Sequence, residues 1–321
     1  MLFAFPLLWA VGGVAAYYYS QERGIPWASA LLVLPAFLLE VSFYFTLGVD
    51  RLRHRVEKMP PALLAATLGL AAVIPYCLAS LSLGNFRWEA LGSIAALALA
   101  ASFWYVVLPH RPVIDVVYLL LMALPMLFRV FPQLYVSPVD RLPLAALGTL
   151  MWFRTGLFAM VSVRPAPKIG FGFWPTSEDW KIGALYFVAM LPVVGLIAWL
   201  IHFATPHLHY VGWGRTTLYT IGTFFGILWV TALGEEFLFR GLIQQWCTVW
   251  FKSEWAGLIL TSLLFGSAHL WFRRPFPNWP VAGLMAVGGL FYGLAFRHTK
   301  SIRTSMVTHA LTVTTWRVFF S

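Results

Sequence analysis

Charge is scarce in this chain. Asp, Glu, Lys and Arg make up 11% of its 321 residues, less than half the roughly 25% of ordinary soluble domains. That scarcity excludes a water-facing globular fold. Cysteine is nearly absent too. Cys77 and Cys247 fall in or near apolar segments, which supports neither a disulfide framework nor a cysteine-based metal site. No HExxH pattern occurs, so the two-histidine zinc helix is missing. There is no low-complexity tract and no convincing internal repeat. The chain does not open on a short apolar stretch ending at a small-residue cleavage site, so no removable signal peptide is expected.

What remains is apolar. Hydrophobic residues make up 60% of the chain, which predicts an all-α polytopic transmembrane helix bundle. A span needs about 20 mostly apolar residues. About eleven candidates follow, within a range of eight to eleven: 2–19, 27–48, 61–84, 90–108, 116–136, 143–163, 183–203, 217–240, 256–271, 281–297 and 304–320. The ninth is short and the last carries Arg317. The eighth is expected to continue as helix towards Trp250. The net charge of +10 points to basic loops against anionic headgroups, with no nucleic-acid partner. Much of the positive bias comes from the Arg51 to Lys58 cluster, placed inside if the N-terminus is cytoplasmic.

Three regions are expected. Residues 1–163 form an N-terminal transmembrane region of unknown role. Within its spans lie Glu40, Arg129 and Arg154, expected to pair or to snorkel to the interface. Residues 164–182 are polar, Pro/Gly-rich and aromatic, and read as an interfacial connector. Ser177 is the expected N-cap of the next helix, with Glu178 and Asp179 in its first turn. Residues 183–321 carry the chemistry. His202, His207 and His209 read as a solvated loop rather than a metal site, and Trp213, Trp271 and Trp279 as interfacial belts.

Glu235 and Glu236 sit side by side at the end of a long apolar run. A carboxylate near the centre of a membrane helix costs roughly 2.5 kcal/mol or more, so the pair marks a functional site. Neighbouring helical residues point about 100° apart, so the two glutamates serve different ends. Arg240 is one turn from Glu236 and suits an ion pair with it. Glu235 is left to face water. Phe265 and His269 share one face of a later helix, and Thr308-His309 opens the last span. Carboxylates, imidazoles and a guanidinium on separate helices suit hydrolysis. A carboxylate acts as general base on water, and a neutral histidine shares that water or protonates a leaving amine. A zinc ion on Glu235, His269 and His309 is the alternative that this spacing leaves open.

EExxxR at Glu235-Glu236-Arg240, FxxxH at Phe265-His269 and a further histidine at His309 resemble the CPBP (Abi) family. Its members include type II CAAX prenyl endopeptidases and bacteriocin-processing or immunity proteins. The matching stretch, 217–318, makes residues 183–321 a CPBP-like intramembrane protease domain. The resemblance implies Glu235 as the water-activating glutamate and His269 and His309 as the other catalytic residues. Glu236, Arg240 and Phe265 support them, and no cofactor is needed. It implies an intramembrane endopeptidase acting on a membrane protein or lipidated peptide, in the cytoplasmic membrane of a bacterium. The family's last motif often reads HxxxN, whereas Val313 stands four after His309 here, flanked by Thr312 and Thr314. An oxyanion donor would then come from Asn278, Arg240 or a backbone amide. The same departure keeps open a non-catalytic immunity factor, transporter or scaffold.

Overall fold

Lipid offers no water to backbone N–H and C=O groups, so an apolar chain of this kind must satisfy them within helices. The computed structural model describes residues 4–164, 169–209, 212–272 and 275–320. Each of the eleven expected segments is helical there. The helices are α1 (Ala4–Arg23), α2 (Trp27–Gly48), α3 (Asp50–Val56), α4 (Pro61–Ser82), α5 (Trp88–Val107), α6 (Pro112–Leu127) and α7 (Val130–Leu134). They continue with α8 (Leu144–Val163), α9 (Ser177–Leu200), α10 (Trp213–Phe251), α11 (Glu254–Ser267), α12 (Trp279–Thr299) and α13 (Ile302–Phe319). Seven are long and apolar enough to cross a membrane: α2, α4, α5, α8, α9, α10 and α12. α6 and α11 are apolar but shorter. α1 and α13 account for the other two expected segments. The chain divides into two compact units, Met1–Ala166 and Pro167–Ser321.

In the first unit two buried ion pairs replace apolar contacts. Arg154 of α8 grips Glu40 of α2 through Nε (2.6 Å) and Nη2 (3.2 Å), and Nη2 also donates to the Ala71 carbonyl of α4. Both side chains are 1% exposed. Asp115 of α6 pairs with Arg164 at 2.7 Å and accepts from the Tyr105 hydroxyl of α5 at 3.0 Å. Glu40 and Arg154 thus pair as expected, but Arg129 does not join them. It is exposed and left-handed (φ 51°) between α6 and α7. That turn breaks the expected span 116–136, just after Pro125 weakens the end of α6. Glu40→Ala would strand the Arg154 guanidinium in the core. A loss of about 3–5 kcal/mol is expected, read as a lower unfolding midpoint in detergent; an unchanged midpoint would show the pair to be dispensable.

In the second unit part of the connector packs inward. Residues 165–168, including Lys168, lie outside the described residues. Beyond them Ile169, Phe171 and Phe173 are buried. Phe173 stacks on Trp229 (6.1 Å between centroids), whose Nε1 donates to the Phe173 carbonyl at 3.0 Å. Aromatic burial holds this segment. Gly170 is left-handed (φ +62°), and a Cβ there would strike Ser301. Residues 177–182 belong to α9. Its N-cap is Thr176 rather than Ser177. Thr176 and Asp179 form a reciprocal capping box, which satisfies two otherwise orphaned amides.

α10 runs unbroken for 39 residues, Trp213–Phe251, so the expected extension towards Trp250 is present. Two wide, π-type stretches, Ile227–Ala232 and Phe237–Ile243, flank one ordinary turn, Leu233–Glu236. Such widened turns often accompany functional sites, because they re-aim side chains on an otherwise regular helix. At about 1.5 Å rise per residue, Glu235 lies about 33 Å along α10 from Trp213. The loop before α10 carries the histidines. His202 and His207 are exposed. The backbone amides of His207 and His209 donate to Phe319 and Val318 at 2.9 and 2.8 Å, fastening the end of α13.

Candidate active site

The two glutamates face different surroundings, as their 100° offset requires. Glu236 is fully buried, whereas the Glu235 side chain keeps 33% of its exposure. Glu236 Oε1 accepts from His309 Nδ1 at 2.8 Å and from Arg240 Nη1 at 3.4 Å. Its Oε2 lies 3.2 Å from Arg240 Nε, an ion-pair contact without hydrogen-bond alignment. Arg240 is fully buried and spends Nη2 on the Gly289 carbonyl of α12, at 2.8 Å. A Cβ at Gly289 would come within 3.2 Å of the Phe265 ring and 3.4 Å of Arg240 Nη2. A larger residue there would crowd this contact.

His309 of α13 bridges the carboxylates. With Nδ1 given to Glu236, a neutral ring carries its lone pair on Nε2. That atom lies 3.9 Å from Glu235 Oε2, which has no hydrogen-bond partner. The gap is too long for a direct bond, but two acceptors so placed can share the protons of one water. His309 also stacks flat on Tyr292 of α12, with centroids 4.6 Å apart and planes at 9°. Tyr292 meets the Thr312 side chain through its hydroxyl and lies 5.5 Å from the Arg240 guanidinium. Parallel stacking and the Glu236 bond together hold the imidazole plane and tautomer.

His269, in the turn just after α11, is half-buried. Its Nδ1 lies 2.8 Å from the Phe265 carbonyl. A carbonyl only accepts, so Nδ1 carries the proton and Nε2 the lone pair. The Phe265 ring sits 4.8 Å from His269, 6.1 Å from His309 and 4.9 Å from the Arg240 guanidinium. Phe265 is therefore the shared wall of the site. Direct polar contacts join Glu236, Arg240 and His309, and Glu235 stands 3.9 Å from His309. His269 connects to them through Phe265.

Other expected donors are committed elsewhere. Asn278 caps α12, with Oδ1 accepting from the Val281 amide at 3.3 Å and Nδ2 donating to the Phe272 carbonyl at 3.2 Å. Thr312 Oγ1 donates to the Thr308 carbonyl at 2.7 Å. Each of these groups, like Arg240, already holds a partner, although Arg240 Nε makes no hydrogen bond. Tyr292 and Gly289 were not anticipated from the sequence. Their signal is faint, a tyrosine and a glycine pair within an apolar helix. Among the described residues no group of three or more His, Cys, Asp or Glu forms a metal-holding cluster.

A search of curated proteins and one of solved structures returned no match. Residues 217–315 do match one family model, Rce1-like, described as type II CAAX prenyl endopeptidase Rce1-like. That stretch holds Glu235, Glu236, Arg240, Phe265, His269 and His309 in order, and it is an Rce1-like domain of the CPBP/CAAX protease family.

Proposed function

We propose that the protein is an intramembrane endopeptidase that cuts a membrane-associated protein or lipidated peptide with a water activated by Glu235. The observation that carries this reading is the 3.9 Å separation of His309 Nε2 and the unpartnered Glu235 Oε2. One water held by both is positioned with its oxygen lone pairs free. Glu235 takes a proton as the water oxygen bonds to the scissile carbonyl carbon. The tetrahedral intermediate collapses, the C–N bond breaks, and that proton passes to the leaving amine. His269 offers Nε2 to the amine on the other side of Phe265. Glu236 and Arg240 position His309 and do not touch substrate. This reading needs no metal. The cytoplasmic membrane of a bacterium is the setting this reading implies.

A second reading has one observation in its favour. Val313 stands where an amide would serve an oxyanion. The polar cluster would then be a structural core of a non-catalytic immunity factor, transporter or scaffold.

Reconstituted protein mixed with membranes of its host separates the two. New peptide N-termini should appear with the wild type, vanish with His309→Ala, and persist in excess EDTA. Identical N-termini with and without the protein would leave the non-catalytic reading standing. Their loss in EDTA would instead require a metal.

A further inference from the structure

Gly222, Gly226, Val230 and Thr231 of α10, with Arg317 of α13, line an open cleft of about 480 Å³. From Tyr219 to Thr231 it follows α10 for about 18 Å. Its near end stops four residues before Glu235. The glycines in it have no use inside the fold. A Cβ built on Gly222 or Gly226 meets nothing within 4 Å. At Gly183, Gly257, Gly266 and Gly293 it would meet neighbours within 3 Å, so those four are small because the bundle needs them small; Gly195, Gly214 and Gly283 are as open as Gly222 and Gly226 but do not line the cleft. A helix-interior glycine costs about 1 kcal/mol relative to alanine, and at 222 and 226 internal packing does not explain it. The cleft also holds a cation with no carboxylate partner among the described residues. Arg317 is exposed, and no carboxylate lines the cleft.

We infer that this cleft docks a single transmembrane helix of the substrate, packed closely on Gly222 and Gly226, with an acidic side chain near its interfacial end paired to Arg317. The inference rests on the endopeptidase reading and adds a substrate class to it. Small residues four apart, flanked by Thr223 and Thr231, let a second helix backbone come close and hydrogen-bond across the interface. An acyl chain gains nothing from that shape. A second copy of this chain fits poorly. A two-fold contact presents the same patch from both partners, which would set Arg317 against Arg317 with no carboxylate between them. Arg317 lies about 12 Å beyond His309 along α13. A helix anchored there and lying on α10 is therefore led towards Glu235, the exposed member of the glutamate pair.

The test uses the full chain in phosphatidylcholine nanodiscs and a synthetic Leu/Ala-rich single-span peptide with one Asp at its interfacial end. Binding is read by energy transfer against the same peptide carrying Lys instead of Asp. The Asp peptide should bind about tenfold more tightly, a difference of about 1.4 kcal/mol. Gly226→Leu should weaken it at least about fivefold, and Arg317→Glu should reverse the preference. Both positions face outward, so unfolding midpoints should stay at the wild-type value and exclude misfolding as the cause. Equal binding of the two peptides to wild type, or undiminished binding to both variants, overturns the inference. So does cross-linking that shows copies of the protein joined through the cleft and displaced by neither peptide. Proteolysis is scored apart from binding. Docking without cleavage of host membrane proteins removes the endopeptidase reading alone. Full cleavage by Gly226→Leu removes the docking site alone.

Discussion

Glutamine in place of Glu235 is expected to lower turnover by about 10²- to 10⁴-fold, the span over which a positioned general base contributes. The change keeps the shape and removes only the charge that accepts the water proton. Its fold should survive, because Glu235 Oε2 has no hydrogen-bond partner to lose and the side chain is part-exposed. The measurement is the yield of new peptide N-termini from reconstituted protein, with circular dichroism and unfolding midpoint as controls. Wild-type yield from Glu235→Gln would sink the proposed mechanism. The companion substitution Glu236→Gln should behave differently. It weakens the hold on His309 Nδ1 and leaves Arg240 short of its counter-charge, so stability should fall along with activity.

Arg240→Met is expected to destabilise the second unit by about 3–5 kcal/mol, the usual result of removing one partner of a buried ion pair. The guanidinium touches Glu236 on its own helix and the Gly289 carbonyl of α12, with no exposure to water. Methionine fills much of the volume, so the loss isolates charge and hydrogen bonding from packing. Lysine should recover only part of it, since one ammonium cannot match the planar fork that reaches both partners. Unfolding in graded denaturing detergent measures the difference. A midpoint for Arg240→Met equal to wild type would mean that Glu236 is neutral in the native protein. The ion-pair description would then have to be abandoned.

The expected segments were legible because membrane helices are written as runs of about 20 apolar residues, and every one of the eleven is helical. What escaped is what runs of hydropathy do not record. Arg129 ends a helix through a left-handed turn, and Phe173 is buried although its neighbours read as loop. The candidate site divides in the same way. Glu236 and Arg240 stand four apart, so their pairing follows from helical geometry. The bond from His309 to Glu236 spans 73 residues of sequence, and only the packing of α13 against α10 reveals it. That bond alters the reading of the pair. His309 is shared between both glutamates, held by one and aimed at the other. Tyr292 is invisible to motif reasoning because its contribution is a flat ring contact, which no spacing rule encodes.

The buried pair of Glu40 and Arg154 also bears on how the protein is made. The two residues lie 114 positions apart. Chains grow at about 5–20 residues per second, so α2 is in place roughly 6–23 s before the residue that neutralises it has been synthesised. Through that interval Glu40 has no partner from α8. Assembly must keep it hydrated, protonated or beside the insertion machinery until α8 arrives. The order of synthesis, and not only the finished packing, therefore sets a demand on this half of the molecule.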